Sequence, residues 1–134
     1  MTDLKKVMLV EDDDDIAVLA MIALRDMGGL EVERCSNGPE ALARVGGIKP
    51  DLIILDYRMP HMNGDEVLLA LSRAPESRDI PVLFMTASLM PQHTARLVEL
   101  GALAVLPKPF DPLALAQQVR DIWEAQVIGQ AKHA

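Results

Sequence analysis

At 134 residues, half of them hydrophobic, the chain is of single-domain length and can bury a core of its own. Twenty acidic residues against thirteen basic ones give a net charge of −7, which argues against nucleic acid or an anionic membrane as a direct partner and suits a protein or a metal ion. The single cysteine, Cys35, excludes a disulfide framework and a cysteine-based metal site, and reads as a small half-buried residue ending a strand.

The charged opening MTDLKKVML lacks the apolar core and cleavage site of a signal peptide, and the longest apolar runs are short or broken, so a cytoplasmic protein is expected. Val7–Val10 is a β-branched apolar run and predicts the first strand. Directly behind it stand five carboxylates in a row, Glu11 to Asp15. Like charges about 4 Å apart repel by about 1 kcal/mol in water and roughly 4 kcal/mol near a protein surface, so these side chains must face solvent or hold a cation. Asp14–Met27 places Ile16, Leu19, Ala20, Ala23 and Met27 at helical spacing before the stop Gly28-Gly29. Leu30–Cys35 predicts a second strand, and Gly38-Pro39 opens a helix around Ala41, Leu42 and Val45.

A third strand is expected over Leu52–Leu55, followed by a helix after Gly64 carrying Val67, Leu68 and Leu71 and closed before Pro75. Val82–Met85 predicts the fourth strand, with a helix from about Pro91 to Leu100 that ends at Gly101. Ala104–Leu106 predicts the fifth. The last helix is expected to start near Asp111-Pro112 and bury Leu115, Val119, Ile122 and Trp123, leaving residues 128–134 as a short tail.

Strict strand–helix alternation predicts an α/β fold, a parallel sheet with helices on both faces, because right-handed crossovers must lie over the sheet. The runs LIIL and VLFM are apolar without alternation, as central strands buried on both faces should be. In such a sheet ligands sit beyond the carboxyl ends of the strands. There the sequence places Glu11 and Asp12 after the first strand, Asp56 after the third, Thr86 after the fourth and Lys108 after the fifth. Glu11 and Asp12 are expected to face Asp56 and share a hard divalent cation, while Asp13 to Asp15 cap and charge the start of the first helix. His61, His93 and His133 lack metal-ligand spacing and read as solvated side chains, and the eight methionines as fillers of packing gaps.

VMLVEDD, LIILDYRMPHMNGDEVL, VLFMTA and LPKPF, in that order and spacing, resemble the receiver domain of two-component response regulators over about residues 5 to 127. The resemblance implies a flavodoxin-like (βα)5 fold with strand order 2-1-3-4-5. It implies that Asp56 is the phosphoacceptor, taking a phosphoryl group from a phosphohistidine in a histidine kinase or histidine phosphotransfer protein. It further implies Mg2+, with Mn2+ as a substitute, held by Asp12, Asp56, Glu11 through water and the backbone carbonyl of Arg58. Thr86 and Lys108 would bind the phosphoryl group, and Lys108-Pro109 is the expected cis peptide bond.

The sequence departs from the family pattern at Glu11, at Val105 and in the stretch GALAV, which replaces a more usual acidic pair. Glu11 stands where the family more often has Asp. Arg58, two residues past Asp56, reads either as a group that meets an incoming water or the phosphoryl group and modulates its lifetime, or as a solvated loop charge. Val105 replaces the Tyr or Phe that commonly swings inward, so the signal is expected to leave through the loop after Thr86 and the fourth helix. Leu103, Ala104 and Val105, on the expected edge strand, read as partly covered core or as a docking surface for a partner or a second copy. A haloacid dehalogenase-type phosphatase would need a second Asp where Arg58 stands, and a flavin module would need a phosphate loop where the acidic run stands. The rival that remains is a degenerate receiver acting as a phosphorylation-independent scaffold. The expectation is a stand-alone regulator, monomeric or weakly dimeric when phosphorylated, that signals to a downstream protein target without contacting nucleic acid or membrane directly.

Overall fold

The computed structural model describes residues 3–133, with side chains through Gly129. All five expected strands form, each within a residue of its expected bounds: β1 Lys6–Val10, β2 Glu31–Cys35, β3 Leu52–Asp56, β4 Val82–Thr86 and β5 Ala104–Pro107. They pair in parallel in the order β2-β1-β3-β4-β5, which is the flavodoxin-like arrangement. Between them lie α1 Asp14–Met21, α2 Gly38–Ile48, α3 Gly64–Arg73 and α4 Pro91–Glu99, and α5 Leu115–His133 follows the last strand.

Period-two alternation sends strand side chains to opposite faces and so divides the core. Val7, Leu9, Leu52, Ile54, Leu83 and Met85 pack against α1 and α5 through Ala17, Ala20, Leu115, Val119 and Trp123. Met8, Val10, Ile53, Leu55, Val82 and Phe84 pack against α2, α3 and α4 through Ala41, Val45, Val67, Leu71 and Leu97. Both faces are therefore dry, and the strand ends are the exits from the core.

The helices depart from expectation in three places. The first does not continue as a regular α-helix to Met27: from Ile22 to Met27 it is π-helical. Its buried stripe is Ala17, Ala20, Ala23 and Leu24, while Leu19 and Met27 are exposed. Pro112 to Ala114 form a turn in which the Asp111 carboxylate accepts from the Leu113 N–H, so α5 begins at Leu115. It runs on through the expected tail to His133, whose side chain, like Ala134, lies outside the described residues. Ile122 is only half-buried. Cys35 is fully buried, and burial pushes its thiol up to about 11, with the neighbouring Arg44 opposing the shift. Among the described residues no helix is long and apolar enough to cross a membrane.

Gly64 marks where the helical layer touches the loop beyond β3. Its N–H donates to the Tyr57 carbonyl at 2.6 Å, and a Cβ at this position would lie 2.6 Å from the Phe84 ring and 2.9 Å from the Asp56 carbonyl oxygen. Gly47, near the end of α2, faces open space. Gly64→Ala is expected to destabilise the protein by about 1–3 kcal/mol through overpacking, and Gly47→Ala to stabilise it by up to about 1 kcal/mol through helix propensity, as read by urea unfolding.

Candidate functional site

The carboxyl ends of four strands and the loop after β1 converge on one rim. Val10 pairs with Leu55 across β1 and β3, so Glu11 emerges beside Asp56. Thr86 pairs with Pro107, and the Lys108 N–H donates to the Thr86 carbonyl at 2.9 Å, which sets Lys108 at the same level. The peptide bond between Lys108 and Pro109 is cis, as expected. Glu11, Asp56 and Thr86 are all buried, and Asp12 is half-buried.

Lys108 joins the two buried acids. Its Nζ lies 2.9 Å from Glu11 Oε1 and 3.2 Å from Asp56 Oδ1. The other Glu11 oxygen accepts from the Asp13 N–H at 3.2 Å. Asp13 caps α1, its Oδ1 accepting from the N–H groups of Asp15 and Ile16, with Asp14 and Asp15 in the first turn as the acidic run suggested. The five carboxylates thus have separate tasks, two facing the rim and three serving the helix start.

Burial and the charge of Glu11 push the Asp56 carboxyl up to about 7, against the opposing pull of Lys108. Burial works against the Lys108 ammonium, but its hydrogen bond to Glu11 and the charges of Asp56 and Glu11 outweigh it and hold the group above the ordinary lysine range. Glu11, Asp12 and Asp56 each offer a carboxylate oxygen within 4.8 Å of the others, a donor set of hard oxygens suited to a small divalent cation. A cavity of about 290 Å³ opens onto Asp56, lined also by Arg58, Thr86, Ala87, Ser88 and Lys108. The arrangement can hold a cation and an anionic group side by side on one carboxylate.

The structure brings together Glu11, Asp12, Asp56, Thr86 and Lys108, with the exposed Arg58 at the cavity wall. Leu103, just before β5, and Ala104 and Val105 on it are half-buried: Leu103 packs against the core beneath α1 and α5, Val105 against the core beneath α2 to α4. Two side chains were not legible as part of this region. Arg34 on β2 donates to the Glu11 carbonyl through Nε at 3.1 Å and Nη2 at 2.8 Å, and its Nη1 pairs with Asp14 at 2.8 Å. Asp14 is highly exposed, so the ion pair contributes little, and the paired bonds to the carbonyl are what fix the acidic loop. His93, expected to be solvated, is half-buried: its Nε2 lies 3.4 Å from Thr86 Oγ1 and its ring stands edge-on to Tyr57 at 4.6 Å. His61 is exposed.

The family model of the response regulator receiver domain matches residues 7–120. The chain belongs to that family. The receiver domain is 31% identical over 118 residues to the phosphate regulon transcriptional regulatory protein PhoB of Pseudomonas aeruginosa, covering 88% of this chain and 51% of that protein. It is 34% identical over 115 residues to the DNA-binding dual master transcriptional regulator RpaA of Synechocystis, covering 86% of this chain and 47% of that one. The chain thus spans about half the length of these curated relatives. The solved structure of the chemotaxis response regulator CheY4 of Vibrio cholerae superimposes with a TM-score of 0.82 at 32% identity, over 89% of this chain and 98% of that one. Receiver domains are signalling domains, and the acidic group here is one that could hold their metal.

The raised Asp56 carboxyl has a consequence for stability. The folded protein retains a proton there that the unfolded chain releases between its ordinary pKa of 3.8 and about 7, so this group's stabilising contribution is complete at low pH and is lost as pH rises through about 7. Asp56→Asn is therefore expected to stabilise the cation-free protein at about pH 8 and to change it little below about pH 4, measured by denaturant unfolding across pH.

Proposed function

We propose that this receiver domain accepts a phosphoryl group on Asp56 from a phosphohistidine of a histidine kinase or histidine phosphotransfer protein, and that the phosphorylated state alters binding to a downstream protein target. The observation that carries the reading is the Lys108 ammonium 3.2 Å from Asp56 Oδ1, at a cavity whose wall includes Thr86 and whose edge carries the acidic group. An Asp56 oxygen bonds to phosphorus as the phosphorus–nitrogen bond breaks, and the electron pair leaves with the donor imidazole. The result is an acyl phosphate, which water later cleaves.

Asp56 must be ionised to attack, and its own surroundings oppose that. Asp12 and Asp56 would hold Mg2+, or Mn2+ in its place, with Glu11 bound through water and the Arg58 carbonyl completing the protein ligands. When bound, the ion supplies positive charge that keeps Asp56 ionised and offsets the charge of the phosphoryl oxygens. Lys108 adds a second positive charge on the other side, and the Thr86 hydroxyl donates to a phosphoryl oxygen. The exposed guanidinium of Arg58 stands at the cavity wall, where it meets entering water and sets the lifetime of the acyl phosphate. The domain thus promotes only its own modification, in the cytoplasm, and turns over no separate substrate. With valine at position 105, readout runs through the loop after Thr86 and α4, and the half-buried Leu103, Ala104 and Val105 border the docking surface.

Incubation with Mg2+ and a small-molecule phosphodonor such as acetyl phosphate, followed by intact mass, tests the reading. The parent is expected to gain one phosphate, Asp56→Asn none, and Lys108→Ala to react at least about tenfold more slowly. A parent that stays unmodified would favour the phosphorylation-independent scaffold.

A further inference from the structure

Thr86 carries an arrangement that phosphoryl binding alone does not explain. Its hydroxyl is buried at the end of β4, accepts from the Ser88 N–H at 3.2 Å, and lies 3.4 Å from Nε2 of His93. His93 belongs to the first turn of α4, where its N–H donates to the Met90 carbonyl. The imidazole is wedged edge-on against Tyr57 at 4.6 Å and 88°, and Tyr57 in turn meets Phe84 edge-on at 6.2 Å. The ring therefore connects the residue next to Asp56, the hydroxyl at the cavity wall and the start of α4.

A hydroxyl has a single proton to give. With the Ser88 N–H already on one lone pair, that proton can go to His93 Nε2, in the tautomer that leaves this nitrogen bare, or to an anion on Asp56, but not to both. We propose that His93 is the positioning residue for the Thr86 hydroxyl: it holds the proton toward α4 in the unmodified protein and loses it to the phosphoryl group, which releases the start of α4. The direction follows from relative strength. At 3.4 Å the contact with His93 is at the long end of the hydrogen-bond range, whereas a bond to a phosphoryl oxygen is charge-assisted and roughly twice as strong as a neutral one. His93 thus restrains the unmodified state weakly enough to be displaced. Leu89 and Met90, both largely exposed in the loop that leads into α4, are the apolar side chains this release would move. The displacement rests on the phosphoacceptor reading above, while the Thr86–His93 contact does not.

Two measurements on the full chain test the inference separately from that reading. In the unmodified protein, at a pH high enough to keep the imidazole neutral, Thr86→Val is expected to move the Nε2 nitrogen-15 resonance of His93 while leaving its Nδ1 resonance nearly in place. An unchanged Nε2 resonance would overturn the inference whether or not the protein accepts phosphate. Beryllofluoride with Mg2+ then stands in for the phosphoryl group. His93→Phe, which keeps an aromatic ring against Tyr57 and removes the acceptor, is expected to bind it roughly fivefold more tightly than the parent. His93→Gln, which returns an acceptor near the Nε2 position, should bring affinity back toward the parent. In a Thr86→Val background, His93→Phe should have no effect. An equal gain in that background, or no gain with Thr86 present, would show that the ring acts only as packing and would overturn the proposal. A parent that binds no beryllofluoride would count against the phosphoacceptor reading, and the nitrogen resonance would still decide the contact.

Discussion

One ammonium group reconciles the buried acids on which this site depends. Glu11 and Asp56 are both almost fully removed from solvent, and two like charges about 4 Å apart repel by roughly 4 kcal/mol at the effective dielectric of a protein surface. Lys108 reaches both, at 2.9 and 3.2 Å. Its single charge does not neutralise the acids together, and burial, with the charge of Glu11 added to it, holds the Asp56 carboxyl above its ordinary range. The pocket is thereby poised for added positive charge, since a cation would replace the proton that Asp56 otherwise retains.

Backbone pairing sets the positions from which these side chains meet, and the long Lys108 side chain spans the remaining distance to both acids. Glu11 and Asp56 are neighbours through the β1–β3 register, and Lys108 is fixed through the Thr86 carbonyl. Arg34 ties the acidic loop back to β2 through the Glu11 carbonyl. The close seat of Gly64 on the backbone after Asp56 anchors the adjoining loop to α3.

Much of this was legible in the sequence, for physical reasons that can be named. Strands buried on both faces leave uninterrupted apolar runs, so LIIL and VLFM located β3 and β4 and, with them, Asp56 and Thr86 at their ends. Helix faces were harder to read. In the first helix the periodic set Ile16, Leu19, Ala20, Ala23 and Met27 held two residues that are buried, Ala20 and Ala23, and two that are exposed, Leu19 and Met27, while the buried Ala17 and Leu24 lay outside it. The π-helical stretch carries no proline or glycine within it to announce it. Arg34 looked like any charged residue of an edge strand, and only its register opposite Leu9 brings it to the Glu11 carbonyl. His93 lacked metal-ligand spacing, and its partners, Thr86 and Tyr57, come from other segments of the chain.

The central claim is that burial and unbalanced negative charge hold a proton on Asp56 until a cation displaces it. Carbon-13 NMR of the Asp56 carboxyl, titrated across pH with and without Mg2+, measures this directly. Without a divalent cation the midpoint should fall near 7, as the surroundings of the carboxyl dictate, and saturating Mg2+ should move it well below that value. A midpoint near the ordinary value of about 4 in both titrations, or one that Mg2+ leaves unmoved, would contradict the account.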